Sequence, residues 1–450
     1  MKSLVPLFAT GAVALTLNVQ STDNIKSVAG TIAYDMMTVY TGNQSGQVPG
    51  LLPGGLSCNP NALGTYCWWE AGAMFGALIN YWQYTGDTTY NSVVSQAIQF
   101  QRGADSNFNP ANQSKSMGID DQAFWAFTAM DAVEANFPEA GNGQPSWLSL
   151  AQAVFNFQHG LWDNATCGGG YRWQVFQVEA GYNLKNSVSN GGNFQLSARL
   201  AYVTGNSSYA DWADKVYDWM ASSKLMQMDN SANLLYIWDN TDTSNGCTDQ
   251  TNYVWSYNYG IMLAGAAYMY NYTGGNQTWL NRVNLILEST LQLFFLNSTT
   301  IMYELQCEEN LVCDQDQKSF KAYLARWMAV TALLVPSTAA TINPKLSTSA
   351  QAAAQQCIGG STGRECGEQW YSSKWDGTTG VGQQVSNSCH IAQFLLTSID
   401  GRTICHRIYP QSTRYRTLVT KNRSNLCKQS QRWFYCSLRP NHRKHSGHHS

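Results

Sequence analysis

The chain has 450 residues, of which 44% are hydrophobic and only 12% are charged. This is enough apolar material for one large core or two smaller ones. The formal net charge of −2 hides an uneven distribution, because Asp400 is the last acid and 11 of the 27 Lys and Arg residues follow it. The body is therefore acidic, and we expect no nucleic acid among its partners.

The first twenty residues predict a secretory signal peptide. A single lysine is followed by an apolar run from Leu4 to Leu17, which is too short and too early for a membrane-spanning helix. Asn-x-Ser/Thr sequons agree with passage through a glycosylating secretory route, although a chain this rich in Asn, Ser and Thr contains several by chance. Seven lie in the body, at Asn43, Asn112, Asn164, Asn206, Asn271, Asn276 and Asn297. We therefore expect a secreted protein.

Eight cysteines in the body predict disulfide bonds, because their number is even and their spacing is local. None of the spacings has the C-x-x-C form of a zinc site, and most of the seven His lie near the C-terminus, so we expect no metal and no cofactor. The close pairs are Cys58/Cys67, Cys307/Cys313 and Cys357/Cys366, which leaves Cys167 and Cys247 to join each other or to exchange partners.

A repeated phrase predicts helical hairpins. An apolar helix, a Thr-Gly turn and a second helix recur around Gly86, Gly205 and Gly274, with a looser relative near residue 140. No long run alternates at period two. The segment from Ile119 to Phe137 is apolar on nearly every side of a helix, which favours a closed ring of about six hairpins over an open helical solenoid.

Two adjacent carboxylates, Asp120 and Asp121, stand at the start of that buried helix. A retaining glycosidase needs one carboxylate as nucleophile and one carboxylic acid, roughly 5 Å apart. Neighbours on a helix diverge by roughly 100°, so both reach one pocket only at an open helix start or an irregular turn, which Gly118 permits. The alternative is that both acids satisfy free N–H groups and the helix dipole.

Three other phrases precede predicted inner helices and would line a cleft at one end of the ring. They are Gly168–Gln174, Ser189–Phe194 and Trp255–Gly260. Each has a structural alternative: a loop tethered at Cys167, a helix cap at Asn190, and core packing of the rings in the third phrase. The glycine triplet lacks the pattern of a phosphate-binding loop.

These motifs together resemble fungal endo-α-1,6-mannosidases of glycoside hydrolase family 76. The resemblance spans about residues 25 to 386 and is nearest to cell-wall members thought to act on the mannose core of glycosylphosphatidylinositol (GPI) anchors. It implies an all-α fold, the (α/α)6 barrel, and retention of configuration, with Asp120 as nucleophile and Asp121 as general acid/base. The residues that carry it are Tyr66–Met74, Ile119–Gln122, Gly169–Gln174, Asn190–Phe194 with Ala198–Leu200, and Tyr257–Gly260.

The resemblance also implies a substrate site and a location. The substrate would be α-1,6-mannan or a GPI-anchor glycan, with a glucan as a conceivable acceptor, and the protein would be a monomer in the cell wall or at the outer face of the plasma membrane. Aromatic walls would hold an acceptor sugar and exclude water, which favours transfer over hydrolysis. A catalytically silent mannan-binding wall protein is the alternative, but the intact Asp pair favours an enzyme. The implied binding residues are Trp68, Trp69, Trp125, Tyr171, Trp173, Asn190, Tyr257 and Asn258.

The domain organisation follows from the extent of the resemblance. Residues 1–20 are the predicted signal peptide, residues 21–386 the catalytic domain, and residues 387–450 an atypical basic tail. Relatives continue with a helix, a Ser-rich spacer and an apolar tail that is exchanged for a lipid anchor, whereas no terminal apolar run is visible here. A basic tail could bind acidic wall polymer. A disordered segment or a gene-model artefact is the favoured explanation, because the body cysteines already balance and the tail adds four more.

Overall fold

The computed structural model describes residues 15–56, 59–113 and 117–392. Most of the predicted signal peptide and of the predicted basic tail lie outside these residues. Within the described part the main elements are helices α1 Thr22–Met37, α2 Trp68–Thr85, α3 Asn91–Gln101, α4 Ile119–Ala135, α5 Trp147–His159, α6 Ser187–Thr204, α7 Ser207–Ser222, α8 Ser256–Tyr272, α9 Gln277–Phe294, α10 Phe320–Leu334, α11 Ala339–Gln355 and α12 Val381–Ala392.

The even-numbered helices form a closed inner ring. Each packs against the next in the order α2, α4, α6, α8, α10 and α12, and α12 packs back onto α2. The odd-numbered helices lie outside: α3 on α2, α5 on α4, α7 on α6, α9 on α8, α11 on α10 and α12, and α1 on α12. This arrangement is the (α/α)6 barrel, so the predicted fold is confirmed and the open solenoid is excluded.

The inner helices are buried on all sides, while the outer helices bury one stripe. In α6 every residue from Ser187 to Ala201 is buried, and small residues let its neighbours approach closely. Gly265 of α8 shows how tight the contact is, because a Cβ there would lie 2.4 Å from the ring of Phe194. The outer helix α9 instead turns Trp279, Val283 and Ile286 towards the core.

The predicted hairpin turns are present at the ends of inner helices. Gly86 and Gly205 adopt left-handed conformations, with φ of 81° and 70°, and their N–H groups donate to the carbonyls of Trp82 and Ala201. The looser relative uses Asn136 at φ 52°. The third copy differs, because Thr273 caps α8 at φ −81° and Gly274 follows it with φ 69°.

Three short two-stranded antiparallel sheets lie outside the helices. They pair β1 Leu184–Asn186 with β4 Asn240–Asp242, β2 Met226–Asp229 with β3 Leu234–Ile237, and β5 Cys357–Gly359 with β6 Glu365–Cys366. Strand β1 runs directly into α6, so the sheet of β1 and β4 lies at the end of the barrel where the inner helices begin.

Disulfide bonds join Cys167 to Cys247, Cys307 to Cys313 and Cys357 to Cys366. The two local pairs are confirmed, and of the two options for Cys167 the structure takes the pair with Cys247. Cys67 is also disulfide-bonded, while its predicted partner Cys58 lies outside the described residues.

Helix α12 completes the ring and continues past residue 386 to Ala392. The last inner helix therefore extends beyond the boundary that the sequence suggested for the catalytic domain. In the described part of the chain no helix has the length and apolar character needed to cross a bilayer.

A network of buried ions ties the inner helices together near their C-terminal ends. Asp131 of α4 contacts Arg199 of α6 at 2.7 Å and Arg326 of α10 at 3.0 Å. Glu134 also binds Arg199, at 2.8 Å, and accepts a 2.7 Å hydrogen bond from the hydroxyl of Tyr268 on α8. Four of the six inner helices share this network at the end opposite to their first turns.

Candidate active site

The first turns of the inner helices meet at one end of the barrel, and the Asp pair lies in the first turn of α4. Gly118 precedes it in ordinary extended backbone, with φ −80° and ψ 162°. Of the two arrangements that the sequence allowed, the structure has the helix start and no irregular turn at Gly118. Glycine is needed for space instead, because a Cβ there would lie 2.2 Å from Oδ1 of Asp120 and 2.9 Å from Nε1 of Trp173.

Trp173 reaches Asp120 because the glycine-rich loop pairs with the segment that precedes α4. Gly118 forms an isolated antiparallel bridge with Gln174, and the N–H of Ile119 donates to the carbonyl of Trp173 at 2.9 Å. The indole Nε1–H of Trp173 then donates to Oδ1 of Asp120 at 3.1 Å. This loop therefore places an aromatic ring and a hydrogen-bond donor beside the first carboxylate.

The two carboxylates are both half-buried but differ in their hydrogen bonds. Oδ1 of Asp120 accepts from Trp173 and, at 3.1 Å, from the N–H of Asp121. Oδ2 of Asp121 reaches back to accept from the N–H of Gly118 at 2.7 Å. The helix-capping alternative is thus also realised at Asp121.

Burial and mutual repulsion raise the pKa values of both acids, which favours a proton on the pair near neutral pH. Burial, and then the charge of Asp121, raise the pKa of Asp120 well above its usual value. Burial raises the pKa of Asp121 to about 7, with a further contribution from the charge of Asp316. Because the two groups interact, the proton belongs to the pair. Asp120 accepts two N–H donors and Asp121 only one, so the negative charge is better stabilised on Asp120 and the proton on Asp121.

Two further acids, Asp316 and Glu70, lie at the same site and were missed by the sequence analysis. The indole Nε1–H of Trp69 donates to Oδ1 of Asp316 at 3.1 Å. Burial, followed by the charge of Asp314, raises the pKa of Asp316 to about 7. Asp316 lies just before inner helix α10, and that position could have identified it, because the other cleft segments were chosen by the same rule.

Tyr257 and Asn258 stand in the first turn of α8. The ring of Tyr257 stacks on Phe320, with centroids 3.9 Å apart, and burial followed by the charges of Asp239 and Asp120 raises the pKa of its hydroxyl. The side-chain amide of Asn258 is buried and has no hydrogen-bond partner among the described residues. Both residues therefore remain candidates for contact with a ligand.

Trp68 and Trp125 lie in the core and not in the walls of a cleft. Trp125 has no exposed surface, and its ring lies 5.4 Å from that of Trp68 and 5.5 Å from that of Phe108, measured between centroids. The indole of Trp68 donates to Gln101 of α3 at 2.9 Å. Trp125 is one helical turn deeper than Asp121, so its ring meets helix α2 below the site.

Tyr171 and Asn190 are also fully buried and serve the architecture of the glycine-rich loop. Oδ1 of Asn190 accepts from the N–H of Tyr171 at 2.7 Å, and its Nδ2 donates to the carbonyls of Tyr171, at 3.0 Å, and of Asn186, at 2.8 Å. The hydroxyl of Tyr171 accepts from the indole of Trp212 at 2.9 Å. In this structure both side chains are engaged in holding the loop, and their contact with a sugar stays a prediction.

Two groups of side chains have metal-ligand spacing in the described residues. Cys67, Glu70 and Asp316 offer ligand atoms within 4.8 Å of one another, as do Cys307, Cys313 and Glu368. The cysteines in both groups are disulfide-bonded, so neither group offers a thiolate. The arrangement at the first group is better described as paired carboxyl groups.

Comparison with known proteins agrees with this geometry. The model of glycosyl hydrolase family 76 matches residues 24–402. The chain belongs to glycosyl hydrolase family 76. A curated family member, mannan endo-1,6-α-mannosidase DCW1 of Saccharomyces cerevisiae, is 43% identical over 381 residues, which cover 84% of this chain and 81% of that protein. Mannan endo-1,6-α-mannosidase DFG5 of Candida albicans is 39% identical over 387 residues, covering 85% and 82%.

Solved family 76 structures have the same fold. Dfg5 from Chaetomium thermophilum, crystallised with glucosamine, superposes with a TM-score of 0.79 at 39% identity, over 85% of this chain and 93% of that chain. An α-1,6-mannanase from Salegentibacter gives a TM-score of 0.64 at 18% identity, over 83% of this chain and 99% of that chain. It was solved with α-1,6-mannotriose as an inactive variant in which two adjacent aspartates are replaced by asparagine. At 18% identity, the match to the Salegentibacter structure shows a shared fold and nothing more.

Proposed function

We propose that this family 76 protein cleaves α-1,6-mannosyl linkages of mannan or of a GPI-anchor glycan with retention of configuration. The observation that carries the proposal is the placement of the Asp pair around Gly118. A Cβ on Gly118 would lie 2.2 Å from Oδ1 of Asp120 and 3.2 Å from Oδ2 of Asp121. Those distances limit the separation of the two oxygens to about 5.4 Å, which suits a retaining glycosidase. The choice of linkage follows the names of the curated relatives.

The first step of the proposed reaction forms a covalent mannosyl intermediate. An oxygen of the Asp120 carboxylate attacks the anomeric carbon and forms an ester while the bond from that carbon to the leaving oxygen breaks. Asp121 gives its proton to the leaving oxygen and becomes a carboxylate. The donors on Asp120 suit the nucleophile, and the single donor on Asp121 suits a group that must hold a proton.

The second step returns the site to its starting state. A water molecule or a sugar hydroxyl attacks the anomeric carbon, gives its proton to Asp121, and the ester to Asp120 breaks. Water gives hydrolysis and a sugar acceptor gives transfer. The argument for transfer relied on the rings of Trp68, Trp69, Trp125, Tyr171 and Trp173, and the structure buries the first four of them. Trp173 is half-buried and donates to Asp120, while the indole of the buried Trp69 reaches Asp316. We therefore propose that the intermediate is either hydrolysed or transferred, depending on whether an acceptor sugar is present.

The proposed location is outside the cell, in the wall or at the outer face of the plasma membrane, where the enzyme would take part in cell-wall biogenesis. Three disulfides among the described residues suit an oxidising compartment. Six of the seven sequon asparagines are exposed and Asn271 is half-buried, so glycan attachment is sterically compatible with the fold. A glucan acceptor and a monomeric state belong to the same proposal.

Replacing each acid separately tests the catalytic assignment. In Asp120→Asn and in Asp121→Asn we expect kcat on α-1,6-mannotetraose to fall on the order of 10²-fold or more, because a nucleophile or a positioned proton donor is lost. Only Asp121→Asn should recover its first step on a mannoside with an activated leaving group. Asp211→Asn, which removes an exposed acid on α7, is the matched control and should keep wild-type rates.

Product analysis separates the proposal from its alternatives. Mass spectrometry of wild-type digests, with and without a labelled acceptor glycan, reports hydrolysis or transfer directly. Binding of mannotriose with no product from any α-1,6-mannoside would favour the silent mannan-binding protein. Full activity in both Asp variants would refute the assignment of the pair.

A further inference from the structure

Glu70 is a buried acid whose hydrogen bonds require a proton. It is 1% exposed, and its Oε2 accepts from the N–H of Cys67 at 2.7 Å. Its Oε1 is buried and meets no N–H or hydroxyl donor in the described structure. A carboxylate oxygen of Asp316 lies within 4.8 Å of a Glu70 oxygen. Two buried carboxylates at this separation repel each other, so the pair holds one proton between them.

The proton of this second pair belongs on Glu70 and the charge on Asp316. Asp316 receives the indole N–H of Trp69 and is half-buried, whereas the free oxygen of Glu70 has neither a donor nor solvent. Burial, and then the charge of Asp316, raise the pKa of Glu70 well above its usual value. Glu70 thus carries a hydroxyl that can donate to Asp316, and the negative charge of this pair lies on Asp316 once the pH exceeds the pKa of Asp316, which is about 7.

The charge of Asp316 acts on the Asp pair with little compensation. The other titratable groups that face Asp316 are Asp314 on its own segment, Asp120 and Asp121 on α4, Glu70 on α2 and the hydroxyl of Tyr257 on α8. The first turns of α6 and α12 carry only neutral side chains. Two cations follow Asp316 in the chain: Lys318 donates to Gln315 at 3.1 Å and acts on Asp314, and Lys321 in the first turn of α10 pairs with Glu308 at 2.8 Å.

We propose that Asp316 is a positioning residue for the acid/base: its negative charge, stabilised by Trp69 and by the proton of Glu70, opposes the ionisation of Asp121, which keeps its proton until the leaving oxygen takes it. The inference rests on the proposed function, in which Asp121 is the acid. Without the charge of Asp316, only burial and the charge of Asp120 would oppose the ionisation of Asp121, while the N–H of Gly118 favours it. Two neighbouring pairs, each with one proton, therefore set the protonation state in which catalysis begins.

The pH dependence of kcat/KM tests the role of Asp316. In the wild type, kcat/KM should fall as the pH rises through about 7, because Asp121 loses its proton there. Asp316→Asn keeps an acceptor for the indole of Trp69 but removes the charge, so the pKa of Asp121 should fall. We expect the alkaline limb of the profile to move down by roughly one pH unit. Glu309→Gln, an exposed acid nearby in the chain, should leave the limb in place.

Glu70→Gln is the complementary variant, because its amide reproduces a protonated carboxyl group. The amide oxygen can accept from the N–H of Cys67, and the amide nitrogen can donate to Asp316. We expect the alkaline limb to stay within a few tenths of a pH unit of the wild type. A large shift in Glu70→Gln would show that Glu70 is ionised and would overturn the inference, even if Asp316→Asn fails to fold.

Infrared spectroscopy gives a readout that does not depend on the substrate. The carbonyl band of protonated Asp121, identified by its loss in Asp121→Asn, should titrate at lower pH in Asp316→Asn than in the wild type. An unchanged midpoint would overturn the inference. An enzyme that cleaves α-1,6-mannosides but shows no shift in either measurement refutes only the role of Asp316. A protein without such activity refutes the proposed function, and the infrared titration still decides the charge of Asp316.

Discussion

At the residue scale, the space above Gly118 determines the geometry of the Asp pair. Oδ1 of Asp120, Oδ2 of Asp121 and Nε1 of Trp173 all lie within 3.2 Å of the position that a Cβ would take. These three polar atoms surround a glycine whose backbone conformation any residue could adopt. The absence of a side chain is therefore what lets the proposed nucleophile Asp120, its indole donor Trp173 and the proposed acid Asp121 converge.

Gly118→Ala should consequently reduce catalysis more than stability. The new methyl group overlaps Oδ1 of Asp120, and that carboxylate can swing away without moving the helix, so the nucleophile is displaced. We expect kcat to fall by roughly 10- to 100-fold, since small misplacements of a reacting group carry such losses. Steady-state kinetics and a thermal melt measure the two effects.

Gly160→Ala provides the comparison for that variant. Gly160 ends α5 with φ −70°, and an added Cβ would come no closer than 3.4 Å to another atom, so both rate and melting temperature should stay close to the wild type. A Gly118→Ala enzyme with wild-type kcat would show that the close contacts at Gly118 relax without cost.

The sequence could predict the acids of α4 but not the fate of the rings around them. Two carboxylates in an apolar run are conspicuous, because burial of charge needs a reason. Trp68 and Trp69 are adjacent and chemically identical, yet they point about 100° apart on α2, and only the second reaches an acid. Asp316 comes from a distant part of the chain, and only the closed ring brings it to Glu70.

At the element scale, the glycine-rich loop is positioned by α6 through Asn190. Helix α6 begins directly after β1, and the amide of Asn190 in its first turn holds both backbone groups of Tyr171. Trp173 follows two residues later and donates to Asp120. The loop is further held by Lys185, whose ammonium group donates to the carbonyl of Thr166 at 2.8 Å. The site thus depends on an inner helix that contributes no catalytic group.

Asn190→Ala distinguishes this architectural role from the predicted sugar contact. Loss of buried hydrogen bonds to the Tyr171 backbone should lower the free energy of unfolding by at least about 2 kcal/mol, because their partners stay buried. A sugar-binding asparagine would instead raise KM and leave stability unchanged. Urea denaturation and KM for mannotetraose separate the outcomes, and Asn245→Ala, on the exposed turn that leads to Cys247, serves as the control.

The helices and their turns were predictable at this scale, whereas the short β-sheets were not. Both features can be recognised from the local sequence: an apolar run marks a helix that is buried on all sides, and a glycine such as Gly86 or Gly205 marks a left-handed cap. Strands β1 and β4 have three residues each, which is too short for an alternating pattern, and their pairing spans the hairpin of α6 and α7.

At the scale of the whole molecule, the barrel keeps its polar chemistry at two separate ends. The first turns of α2 and α4 hold Glu70, Asp120 and Asp121, whose pKa values are raised by burial, while the opposite end holds acids paired with Arg199 and Arg326. Asp131 accepts from both guanidinium groups and so links α4 to α6 and to α10. Its removal should loosen the ring without altering the protonation of the site.

Asp131→Asn tests that separation. The variant leaves two buried guanidinium groups without the charge they share, and breaking a buried pair costs about 3–5 kcal/mol. We expect a clear loss in the free energy of unfolding, measured by urea denaturation, but an alkaline limb of kcat/KM at the wild-type pH. Asp214→Asn breaks the more exposed contact with Arg282, which spans 3.7 Å, and should cost no more than about 1 kcal/mol. If Asp131→Asn moved the limb as Asp316→Asn is expected to, the two ends of the barrel would be electrostatically coupled through the inner helices.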